Sequence, residues 1–298
     1  MQITALRDES TFVDLQGVTI HLYKWQPGRP KAAVLIAHGL GEHALRYEHV
    51  AQRLVQSGYA VWAIDQRGHG ATGVEQHGGD LTKLGRVGPG GVRAVVGDLV
   101  NALKRMRAEH PAIPIAILGH SWGSLSTQIL LNSHSDLVDA AVLSGTAYRV
   151  PGWMNAGDLN ARHAHLGTTG FEWLSRDPAV ITAFVDDPLT FPADARRSLG
   201  VVDGRRLYGV PKRIQPPIPL LIAGGSDDSL GGAKSLRRLA EAYRRRGGLD
   251  DVTLTIYPGA RHEIFNEINR AKVLDDLAAW LDERLFEPRV ETERPIGS

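Results

Sequence analysis

The chain has 298 residues, 43% of them hydrophobic and 22% charged, with a formal net charge of +1 at pH 7. That length supports a core large enough to need no disulfide or metal staple, and the lack of cysteine excludes disulfides, thiolate zinc sites and a cysteine nucleophile together. Near-neutral charge supplies no long-range positive field for phosphate backbones or anionic lipid, which argues against a nucleic-acid partner.

Arg7, Asp8 and Glu9 interrupt the amino-terminal stretch, leaving no apolar run long enough for a signal peptide. Runs such as 32–37 are far short of the roughly 20 residues that span a bilayer, so a cytoplasmic protein without a transmembrane segment is expected. Residues 12–25 alternate around Gln16 and Gly17 and predict an antiparallel hairpin at a sheet edge. After Pro27, Gly28 and Pro30, short apolar runs at 32–37, 60–64, 113–118, 140–143, 220–223 and 252–257 predict strands buried on both faces. Between them Val92, Val95, Val96, Leu99, Leu103 and Met106 recur at helical spacing, and Val273, Leu277, Trp280, Leu281 and Leu285 repeat that design near the end. Strands alternating with amphipathic helices predict an α/β fold with a mostly parallel sheet covered on both faces.

The alternation stops at 147–215, where prolines and acidic pairs interrupt the chain and three of the six phenylalanines and two of the six tryptophans collect. This interval reads as a cap inserted between two parts of one core, 1–146 and 216–286, with a disordered tail at 287–298.

The most informative motif is Gly119-His120-Ser121-Trp122-Gly123, between the strand predicted at 113–118 and a helical segment at 125–131. A serine on a tight strand-to-helix turn is held out for nucleophilic attack, and the flanking glycines admit the neighbouring strand and helix. The helix amino terminus behind it offers backbone donors to a developing anion. A second donor for that oxyanion is available from the Leu40 amide in His38-Gly39-Leu40-Gly41, which follows the strand predicted at 32–37. The first is the amide of Trp122.

Among twelve histidines His262 stands out, because it leaves the final strand at the carboxyl edge of the sheet, the edge Ser121 occupies. His69 reads as a turn-organising residue. His163 and His165 lack a carboxylate cluster at ligand spacing, so no metal is expected. The acid that orients the base should fall between serine and histidine in chain order. Asp227 and Asp228, at the end of the strand predicted at 220–223, both qualify, and adjacent residues in extended chain point opposite ways, so only one reaches His262.

With His38-Gly39-Leu40-Gly41-Glu42-His43, Arg46-Tyr47, Asp65-Gln66-Arg67-Gly68-His69-Gly70, the serine turn, Gly225-Ser226-Asp227-Asp228 and Tyr257-Pro258-Gly259-Ala260-Arg261-His262-Glu263, most of the chain resembles the monoacylglycerol lipase and lysophospholipase branch of the α/β hydrolases, the group related to the S33 serine aminopeptidases. The resemblance implies the α/β-hydrolase fold and a Ser121, Asp228, His262 triad, with the Leu40 and Trp122 amides as oxyanion hole and no cofactor. Trp122 is bulkier than the residue usual after the serine in this branch and resembles the turn of proline iminopeptidases. The expected reaction is two-step acyl transfer on a single-chain ester such as a monoacylglycerol. Trp153, Trp173 and Phe184 are candidate lining residues of an apolar tunnel beneath the cap.

Other readings keep the same triad. A general small-ester carboxylesterase needs no tunnel. An iminopeptidase-like enzyme would use Glu172, Asp177, Asp186 or Asp187 to bind a free amine, and a cofactor-free haloperoxidase or perhydrolase would depend on peroxide. A non-enzymatic ligand receptor is a separate class, against which the intact triad argues. Dehalogenases and epoxide hydrolases need an aspartate in place of Ser121, and Gly88, Gly90 and Gly91 follow no strand that would make them a dinucleotide site.

Overall fold

The computed structural model describes residues 5–286, so the tail expected at 287–298 lies outside the described residues. Strands β1 (Arg7–Val13) and β2 (Thr19–Trp25) form an antiparallel hairpin, followed by β3 (Ala32–Ala37), α1 (Glu48–Gln56), β4 (Tyr59–Ile64), α2 (Gly70–Gln76), α3 (Gly91–Glu109) and β5 (Ile115–His120). Then come α4 (Trp122–His134), β6 (Ala140–Ser144), α5 (Pro178–Asp186), α6 (Ala195–Gly204), β7 (Leu220–Gly225), α7 (Gly232–Ala242), β8 (Val252–Tyr257) and α8 (Arg270–Phe286). They build one eight-stranded sheet in the order β1-β2-β4-β3-β5-β6-β7-β8, antiparallel at the β1, β2 end and parallel from β4 to β8.

The central strands are apolar throughout because both faces are covered. Along β3, Ala33, Leu35 and Ala37 enter one core with Leu99 and Leu103 of α3 and Leu236 of α7. Val34 and Ile36, on the other face, meet Val50 and Leu54 of α1 and Leu277 and Leu281 of α8. A one-residue slip would exchange the two sets and spoil both packings. The edge strand β1 instead turns Arg7, Asp8 and Glu9 to solvent, and such charge discourages pairing with another sheet. Its turn is tied inward by Arg67, whose fully buried guanidinium donates to Asp14 of the turn, to Asp98 of α3 (2.8 Å) and to the Pro89 carbonyl (2.8 Å).

The strand predicted to begin at 113 begins at Ile115. Pro114 has no N–H to give the ladder, although its carbonyl accepts from Ala33 N at 2.8 Å. The helix predicted at 125–131 starts earlier, at Trp122, directly after the serine. Between β6 and β7 the chain carries α5 and α6 and, among the described residues, no strand. This segment crosses the loops that leave the sheet: Phe191 N donates to Gly41 O (3.0 Å) and Glu263 N to Leu174 O (2.8 Å). No helix among the described residues is long and apolar enough to cross a membrane.

The chain order reverses at β3, flanked by β4 on one side and β5 on the other. Open parallel sheets leave a crevice at the carboxyl ends of strands where such a reversal occurs. The loops after β3 and β5 carry Leu40 and Ser121.

Candidate active site

Ser121 has φ 51° and ψ −117°, the only positive φ of a non-glycine residue among those described. Such a conformation costs on the order of 1–3 kcal/mol and persists only where its surroundings enforce it. Here the enforcement is close packing of α4 on the sheet: a methyl group on Gly123 would sit 2.0 Å from the Ala37 carbonyl oxygen. Ser121 N donates to Ser144 O (2.9 Å) of β6, which fixes the turn from the other side.

His262 Nδ1 lies 2.9 Å from Asp228 Oδ1, and both side chains are buried. Asp228 Oδ1 also accepts from Leu230 N at 2.8 Å. Burial opposes the charge on Asp228, but the imidazole beside it and the Leu230 amide outweigh burial and hold the carboxyl below its ordinary range. Burial likewise opposes protonation of His262, and the charge and hydrogen bond of Asp228 reverse this and raise it. His262 Nε2 is buried without a partner among the described residues, so it is available as a base. Asp227 points away, to Arg162 Nη2 at 2.9 Å on the surface.

A buried ionic cluster joins the loop after β3 to the loop of His262. Arg46 Nη1 donates to Glu42 Oε2 (2.6 Å) and Glu263 Oε1 (2.8 Å), and its Nη2 to Glu263 Oε2 (2.9 Å). Glu42 Oε1 in turn accepts from Gly39 N (2.5 Å) and from the Tyr47 hydroxyl (2.7 Å). One carboxylate thus fixes the backbone just before Leu40, and the other sits on the residue just after His262. Glu42, Arg46 and Glu263 were visible in the sequence only as parts of motifs. The four-residue spacing of Glu42 and Arg46 beside a glycine-rich turn was the available sign of an ion pair.

Two chambers meet at Ser121. The larger, about 700 Å³, is bounded by Leu40, Trp122, Leu125, Met154, Leu207 and Leu230 among others, with Asp194, Arg196 and Arg205 also on its wall. The smaller, about 10 Å³, is lined by Gly39, Glu42, His120, Ser121, His262 and Glu263 under cap aromatics. His120 is buried with its ring 4.8 Å from that of His262, and burial, then the charge of His262, lowers it to about 3.

None of the three aromatics expected to line a tunnel borders the large chamber. Trp153 is on the surface with 39% of its area exposed. Trp173 packs on His262, and Phe184 packs on Phe171 at 4.7 Å and under the Arg46 guanidinium, so both border the small chamber and neither borders the large one. They bury most of their surface against protein. Beside Trp122, the apolar wall of the large chamber is made mainly by aliphatic residues from separate segments. The four carboxylates considered for amine binding are also off that wall: Glu172 accepts from Thr169 and Asn160, Asp177 caps α5, Asp187 meets His43 at 2.8 Å, and Asp186 ends α5. His69 is buried, with Nδ1 3.0 Å from Arg67 O, and His163 Nε2 faces the Asp227 carbonyl at 3.0 Å.

A family model described as serine aminopeptidase, S33, matches residues 28–269. The monoacylglycerol lipase of Mycolicibacterium smegmatis is 33% identical over 300 residues, covering 94% of this chain and 98% of that protein. The human monoglyceride lipase is 28% identical over 298 residues, covering 93% and 91%. A highly thermostable carboxyl esterase from Bacillus coagulans, solved with glycerol, superposes with a TM-score of 0.80 at 22% identity over 94% of this chain and 99% of that one, a likeness of fold.

Proposed function

Since this chain belongs to the serine aminopeptidase S33 family and is a carboxylic-ester hydrolase of the α/β-hydrolase fold, we propose that it cleaves monoacylglycerols through an acyl-enzyme on Ser121. In this reading His262 Nε2 takes the Ser121 proton as Oγ attacks the ester carbonyl, and Asp228 stabilises the imidazolium that forms. The Leu40 and Trp122 amides receive the oxyanion, and His262 returns the proton to the departing glycerol. Water then repeats the sequence and frees the acid. The observation that carries the reading is the buried 2.9 Å contact of His262 with Asp228, beside a strained Ser121 on the wall of the large chamber. Kinship with monoacylglycerol lipases supports the substrate class.

The test is a hydrolysis panel of monoacylglycerols, triacylglycerols, small esters and a prolyl amide, run on the parent and on Ser121→Ala. Monoacylglycerols should be cleaved fastest. Ser121→Ala should lose turnover on the order of a millionfold together with fluorophosphonate labelling. Faster release of proline, or labelling at another serine, would overturn the assignment.

A further inference from the structure

The small chamber cannot hold the acyl chain or the glycerol, because about 10 Å³ is the space of one water-sized probe. A water there needs polar partners, and most of those on the wall are already engaged. The Glu263 oxygens accept from Arg46 and Asn266, and the Glu42 oxygens from Arg46, Tyr47 and Gly39. His120 is different: among the described residues only its Nδ1 is engaged, 3.2 Å from Ser144 Oγ, while its Cδ2 edge faces Gly39, another wall residue.

We propose that this chamber seats the water that hydrolyses the acyl-enzyme, and that His120 positions this water through Nε2. The proposal rests on the acyl-enzyme reading above. The water oxygen bonds to the acyl carbon while His262 Nε2 takes one of its protons. The acyl bond to Ser121 Oγ then breaks as that proton passes to Oγ, leaving the free acid and the resting serine. The other water hydrogen is donated to His120 Nε2, which requires the tautomer whose Nδ1–H donates to Ser144 Oγ. His120 remains neutral throughout, since burial and His262 hold it at about 3. It orients the water and takes no proton.

Stopped-flow hydrolysis of a p-nitrophenyl ester separates the two half-reactions. His120→Asn keeps a polar group near Nδ1 and loses Nε2, whereas His120→Gln places an amide near Nε2. The asparagine variant should show a burst of one nitrophenolate per enzyme and then a steady state slower by about 10- to 100-fold. Its kcat and KM should fall together, with kcat/KM and the rate of fluorophosphonate labelling within about twofold of the parent. The glutamine variant should recover part of kcat. A parent-like kcat in His120→Asn, or kcat/KM falling as far as kcat without a burst, would overturn the proposal. If His120→Asn loses labelling, Ser144→Ala, which releases Nδ1, should give a smaller burst of the same kind, and a parent-like kcat there overturns the proposal equally. Failure of the parent to be labelled at Ser121 would instead overturn the acyl-enzyme reading itself.

Discussion

The indole of Trp173 lies against the imidazole of His262, with ring centroids 4.6 Å apart and planes tilted by 42°. The backbone repeats the contact, because Trp173 O accepts from His262 N at 3.3 Å. This part of the segment between β6 and β7 therefore packs with His262 as one unit. Trp173→Ala should lower kcat for esters of every chain length by a common factor of about ten, because a loosened base is poorly aimed. It should also lower stability by about 3–5 kcal/mol, read from chemical denaturation. A loss confined to long acyl chains would make Trp173 part of the substrate wall.

Asp228→Asn should cost about ten-thousandfold in kcat, since an amide neither stabilises the imidazolium nor enforces the tautomer that leaves Nε2 free. Asp227→Asn should change kcat by less than about threefold, because its carboxylate meets only an exposed arginine, Arg162. Steady-state kinetics of the two variants decide between the neighbours, and the reverse ranking would reassign the acid.

The proposed mechanism needs His262 neutral, and Asp228 raises its proton affinity in the folded protein. The ascending limb of kcat/KM against pH should thus be centred above the ordinary histidine value of about 6.5. In Asp228→Asn the residual activity should rise at lower pH. The same shifts act on stability. The raised His262 contributes fully below its unfolded pKa and loses its contribution as pH rises through its folded one. The lowered Asp228 contributes above its unfolded pKa and loses its contribution as pH falls through its folded one. The melting-temperature difference between parent and Asp228→Asn should accordingly be largest between about pH 4 and 6.5.

The large chamber predicts a chain-length profile. Each methylene buried against its aliphatic wall contributes roughly 0.8 kcal/mol, so kcat/KM should rise about fourfold per carbon until the chamber is full. Leu207→Trp narrows that wall and should bring the plateau at a shorter acyl chain, whereas Trp153→Ala, on the surface, should leave the profile unchanged. A profile that ignores Leu207→Trp would place the acyl chain elsewhere.

Much of the scaffold was legible because burial on both faces writes itself as unbroken apolar runs, such as Ala32 to Ala37, and because the serine turn demands glycine at fixed positions. Strand ends were less so: β5 starts two residues late, at Ile115, because Pro114 before it has no N–H for the ladder. The wall of the large chamber was not legible. An aromatic residue in an insertion signals that apolar surface must be covered, but not whether protein or substrate covers it. Trp173 and Phe184 are covered by protein. Met154, Leu207 and Leu230 come from three separate segments and converge only after folding. The ionic cluster escaped for a similar reason, since Glu42 and Glu263 are 221 positions apart in the chain and are joined by Arg46 only in space.

The salt-bridged Arg67 bears on how the molecule comes apart. A two-stranded hairpin at a sheet edge ordinarily frays first, because one ladder and few contacts hold it. Here the turn of that hairpin is clasped through Asp14 to an arginine that also grips Asp98 on α3, so releasing the edge would strand a buried cation with half its partners. Slow amide exchange should extend to β2, with openings as rare as those of the central strands, and limited proteolysis should cut the cap before it cuts the β1–β2 turn.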